Sequence, residues 1–169
     1  MKQPINIITF LFVACTYVLG WSQEAGTENA QIPRVFLIGE YADQYARISE
    51  EHPANLLSVY QNDMEMAYEK WAGMLVEMEN YAGEIEYDIK GLKLWLHVYF
   101  NPDGTIQYLS FYPKPNSRNV PVEELVAFFK SFCKVYKIQV NSQLGFQQSA
   151  SASFPTFFGG INKESVKKE

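Results

Sequence analysis

His97 lies in a stretch where every second residue is leucine, valine or phenylalanine. Imidazole is the side chain best suited to moving protons near neutral pH. As a general base it needs an orienting carboxylate and a substrate proton within reach, and the sequence places neither beside it. The competing reading is a hydrogen-bonded packing histidine. His52 precedes Pro53 in a turn-like segment and is read as exposed. Cys133 offers a thiol that a histidine could activate, but Phe129, Phe132 and Tyr136 surround it in sequence, which predicts an inert buried thiol. Met64, Met66, Met74 and Met78 bring soft sulfur ligands, yet at helical spacing methionine fills cores. With two histidines in the whole chain, no metal site and no cofactor is expected. The zincin HExxH, the P-loop, the GxSxG elbow and the dinucleotide fingerprint are absent from the sequence.

Binding chemistry is better represented than catalysis. Lys114, Ser117 and Arg118 stand just before a predicted helix, whose free N–H groups favour an anionic group; a solvated, locally capped turn is the plainer reading. Between Leu92 and Asn101 the apolar residues Leu94, Leu96, Val98 and Phe100 alternate with Trp95, His97 and Tyr99. That is a strand with two largely apolar faces. Asn101-Pro102-Asp103-Gly104 then supplies proline and glycine for a tight turn into a return strand over 105–113. If Asn101 faces Thr105, simple alternation sets Trp95 opposite Phe111, His97 opposite Leu109 and Tyr99 opposite Gln107. The candidate binding face is therefore Trp95, His97, Tyr99, Leu109 and Phe111, with Lys114, Ser117 and Arg118 at its border. Either a helix formed near Ile38 to Ile48 covers this face, or the aromatics remain open to a peptide, glycan or apolar ligand.

The elements that position these residues follow from periodicity. Val35 to Ile38 reads as a strand, and Ile38, Tyr41, Ala42, Tyr45 and Ile48 as the start of a short helix. Leu56 to Tyr60 is taken as a further strand. Asn62 and Asp63 can cap a helix whose apolar stripe is Met64, Ala67, Trp71, Met74, Leu75 and Met78, closing between Asn80 and Gly83. A strand over 84–89 is expected to pair beside the hairpin. Pro121 opens a second helix with Val122, Leu125, Val126, Phe129, Phe132, Cys133 and Tyr136 on one face, and a last strand spans 144–154. The expected fold is α+β: a mixed, mainly antiparallel sheet of about four to six strands packed against two principal helices.

The address is written at the other end. Lys2, an apolar run from Ile5 through Leu19, and then Gly20, Ser22 and Gln23 form the three-part layout of a signal peptide over residues 1–22. A flexible leader over 23–32, a single domain over 33–158 and a charged tail over 159–169 complete the expected organisation. An uncleaved anchor is the alternative, and Phe12-Val13-Ala14-Cys15 loosely resembles a lipobox that would anchor the chain through Cys15. Export to the periplasm or cell surface is expected, with membrane association only through Cys15 or a retained signal. A net charge of −5 works against nucleic-acid binding.

The stretch from Gly91 to Ile106, with Asn101-Pro102-Asp103-Gly104 at its turn and strand, helix and strand after it, resembles the C-terminal domain of TonB-type energy transducers. The resemblance covers about residues 84–154, without the transducers' proline-rich spacer. It implies an α/β sandwich suited to adding an edge strand or docking a short peptide. The expected function is non-enzymatic binding of an envelope protein or peptide, through the Trp95 face or a sheet edge. The alternative is a small hydrolase or lipid-handling protein with a pocket under the aromatics.

Overall fold

The computed structural model describes residues 31–157, so the expected signal peptide, most of the leader, Cys15 and the C-terminal tail lie outside the described residues. The elements run β1 (Val35–Tyr41), a 3₁₀ turn (Ala42–Gln44), α1 (Tyr45–Glu51), β2 (Ala54–Asn55), α2 (Leu56–Val59), α3 (Met64–Glu84), β3 (Lys93–Phe100), β4 (Ile106–Pro113), α4 (Val122–Val135) and β5 (Phe146–Ser153). The fold is α+β, with a five-stranded mixed sheet in the order β1-β4-β3-β5-β2. β3 runs antiparallel to both neighbours, while β1 joins β4 and β2 joins β5 in parallel. Among the described residues no helix is long and apolar enough to cross a membrane.

α3 and α4 cover one face of the sheet. Leu94, Leu96, Val98 and Phe100 of β3 and Leu109 and Phe111 of β4 meet Trp71, Met74, Leu75 and Met78 of α3 and Leu125, Phe129 and Phe132 of α4 in the main core. Burying each such side chain stabilises the fold by ~1.5–3 kcal/mol, which explains why these two stripes dominate the sequence pattern. Asp63 caps α3 by accepting the Met66 N–H at 2.9 Å. A second, smaller cluster of Ile32, Phe36, Ile48 and Tyr99 lies on the opposite face, under α1.

Several expectations are corrected. Leu56 to Tyr60 is not a strand: Asn55 and Ser58 form a reciprocal capping box that starts the short helix α2. The segment 84–89 is not a strand either, because α3 runs on to Glu84 and the chain turns through Glu86 at positive φ. His52 is fully buried rather than exposed. The hairpin register also differs. The turn closes as expected, Asn101 N–H bonding the Thr105 carbonyl at 2.8 Å and Phe100 pairing Ile106, but a bulge follows and Tyr99 pairs Tyr108. Trp95 consequently faces Tyr112, Leu96 faces Phe111, His97 faces Ser110 and Val98 faces Leu109.

The residue inserted by the bulge is Gln107, and its partners explain the slip. Its Oε1 lies 3.0 Å from His52 Nε2, and its Nε2 donates to Glu51 Oε2 at 3.1 Å. Contacts made by the α1 end thus draw Gln107 out of the ladder, and every residue beyond it exchanges faces.

Candidate docking site on the β5 edge

A sheet that is not closed has two edges, and this one treats them differently. Along β1, the Leu109 N–H bonds the Arg34 carbonyl at 2.9 Å, which turns the amides of Leu37 and Gly39 away from β4. These two amides are satisfied within the chain. Leu37 N–H donates to Glu40 Oε2 at 2.9 Å and Gly39 N–H to the Tyr45 hydroxyl at 3.3 Å. β1 is therefore an edge blunted by local side chains.

β5 is built in the opposite way. Phe154 N–H bonds the Leu92 carbonyl at 2.9 Å, so the alternation of an antiparallel ladder sends the even-numbered residues of β5 toward β3. The N–H and C=O groups of Ser149, Ser151 and Ser153 point outward, and of these the Ser149 carbonyl accepts the exposed Gln148 Nε2–H at 3.3 Å. β2 pairs only with Phe146 and Gln147, because the capping box at Asn55 turns the chain away. From Gln148 to Ser153 the edge carries no neighbouring strand among the described residues. It also has no lysine, proline or carboxylate, the usual devices that keep an edge from pairing.

Beside this edge lies a cleft of about 720 Å³ between β5 and the N-terminal half of α3. Ala67, Trp71 and Leu75 form its buried floor, Met64 and Tyr68 its exposed rim, and Leu57 also lines it. Ala150 enters from the strand side. Among the described residues no charged side chain lines it.

The residues proposed from sequence are only partly assembled. Leu109 and Phe111 are fully buried in the main core, on the opposite face from Trp95, so they contribute nothing to an aromatic surface there. Tyr99 is also fully buried, under α1, and burial raises its phenol above the ordinary range. This face is thus covered at the Tyr99 end by the segment expected to cover it. At the other end, Trp95 and Tyr112 remain 51% and 52% exposed, and Lys114 Nζ stands 4.1 Å over the Trp95 ring. Ser117 Oγ accepts the Lys93 N–H at 2.9 Å, and Arg118 pairs with Asp88 at 2.5 Å. The border residues staple loops to the sheet instead of converging on a common point.

His97 is fully engaged. Its Nε2 lies 2.7 Å from Gln147 Oε1 and its Nδ1 3.0 Å from the Tyr99 hydroxyl, and the His97 and Tyr99 rings stack with centroids 4.2 Å apart. Gln147 Nε2 donates to the His52 carbonyl at 2.9 Å, which fixes Oε1 as the acceptor. Nε2–H therefore donates to Gln147 while Nδ1 accepts from Tyr99, the pattern of a neutral ring. Burial lowers the His97 pKa, the Gln147 bond opposes that shift, and the electrostatic influence of the neighbouring His52 adds to it. Cys133 sits on the buried face of α4 in the main core, separated by the sheet from His97, and burial pushes its thiol up to about 12. The described residues hold no group of three or more His, Cys, Asp or Glu side chains able to bind a metal ion.

Comparison with family models, with curated proteins and with solved structures finds no match. The site rests on its geometry. Sequence reading named a sheet edge as a contact surface but did not say which one. The available signal was Gln-Gln-Ser-Ala-Ser-Ala-Ser over 147–153, a strand without charges whose small side chains leave its backbone accessible.

Proposed function

We propose that this chain is an exported, non-enzymatic docking domain of the bacterial envelope that holds an envelope protein or peptide by adding its strand to the open edge of β5. One observation carries this reading: the β1 edge is capped by Glu40 and Tyr45, while the β5 edge is left open beside an apolar cleft. Main-chain hydrogen bonds would supply affinity, and the cleft would select side chains. Export is supported by the layout of residues 1–22.

Ser151→Pro tests the docking mode. It deletes an outward N–H and sets a ring in the path of an added strand, while proline is tolerated on edge strands when the missing donor faced solvent. A photo-crosslinking residue at Ser149 is expected to capture a partner in whole cells, and Ser151→Pro to abolish the adduct with thermal stability retained. The same residue placed at Ile38, on the capped edge, is expected to capture none. An adduct unchanged by Ser151→Pro would refute strand addition. Mass spectrometry of the mature N-terminus tests export, with cleavage near Ser22 as the expected result.

A further inference from the structure

The cleft also specifies what the added strand must carry. Resting on the edge-docking reading, we infer that the occupant is an extended segment of about six residues, matching the free stretch of β5, with bulky uncharged side chains at alternate positions. The chain supplies its own template. β2 already occupies the same edge, with Ala54 opposite Phe146 and packed against the main core, before Asn55 diverts it. An incoming strand continues the position that β2 vacates, so every second side chain enters the space between Ala150 and the Ala67, Trp71 and Leu75 wall.

The chemistry of that space is selective. Among the described residues its lining is uncharged, from Asn55 and Leu57 to Gln147 and Ser151, so a carboxylate or ammonium turned inward would be desolvated without a partner there. The exposed Met64 provides an adaptable rim over the inserted groups. Side chains at the intervening positions face away from the cleft, on the Trp95 side of the sheet.

The probe is the blocked heptapeptide Lys-Leu-Thr-Leu-Ser-Leu-Lys, titrated into the full mature chain by amide-resolved NMR. Two peptides control it, one with each leucine replaced by glutamate and one with the leucines contiguous. The alternating peptide is expected to shift the amides of Ser149, Ser151 and Trp71. It is expected to bind at least about tenfold tighter than the glutamate peptide, and tighter than the contiguous one. Ala150→Phe, which places a ring in the cleft, is expected to weaken the alternating peptide selectively. Ser151→Pro should weaken all strand binding. If the glutamate peptide binds as well as the leucine peptide and Ser151→Pro abolishes both, edge docking stands and the inferred chemistry is wrong. Binding that survives Ser151→Pro overturns the docking mode itself. No shift with the alternating peptide at about 1 mM, the weak end of specific recognition, overturns the inference.

Discussion

His97 and Gln147 meet across β3 and β5 with Nε2 and Oε1 2.7 Å apart, and Gln147 also backs onto the His52 carbonyl. This joins the covered end of the outer face to the start of the open edge, since Gln147 is the residue at which β2 stops pairing. The folded state favours the neutral imidazole because burial lowers the His97 pKa. An unfolded histidine titrates near ~6.5, so on acidification the unfolded chain binds this proton first. The associated stability is present above that pH and is lost as pH falls through the depressed folded value. Urea denaturation at pH 7.5 and 5.5 should show lower stability at the acid end, with a smaller difference in His97→Asn.

The observed register predicts a specific contrast in truncations. Leu109→Ala removes a fully buried side chain from the main core and should cost ~2–5 kcal/mol. Trp95→Ala removes a larger side chain that is half exposed, and should cost roughly 1 kcal/mol. Under simple alternation the two would share a face. Equal costs in chemical denaturation would contradict the bulge.

Gln107→Ala tests what holds that bulge in place. It strips the partner from Nε2 of the fully buried His52 and removes the link to Glu51. An unsatisfied buried polar group costs about 1–3 kcal/mol, and that loss should appear as a lower denaturation midpoint at unchanged m-value.

Gly104→Ala should destabilise by more than about 1 kcal/mol, because alanine is strained at positive φ. Gly104 has φ +88°, and an added Cβ would stand 2.1 Å from the Ile138 carbonyl oxygen, whose own N–H bonds the Gly104 carbonyl at 3.0 Å. Thermal melting of the variant checks it.

Cys133 should resist alkylation in the native state at pH 8. Its thiol is buried on the core face of α4 and pushed up to about 12, so almost no thiolate forms. Mass-detected iodoacetamide labelling should become rapid only in denaturant.

The helices α3 and α4, the alternating strand β3 and the turn at Asn101 to Gly104 were legible in the sequence because each is specified locally: a 3.6-residue stripe, a two-residue alternation, a turn residue at a required φ. The choice between strand and helix at Leu56 was lost to one capping box, whose side-chain bonds outweigh weak propensity over four residues. The assignment of residues to faces beyond Phe100 was not local at all. It depends on Gln107 meeting His52 and Glu51, more than fifty positions earlier in the chain, and a slip of one residue exchanges every side chain beyond it. The docking edge has the same origin. Residues 147–153 state in their own composition that they can pair, but only the packed order of strands decides that β1 is capped, that β2 stops at Gln147 and that β5 is left facing the cleft.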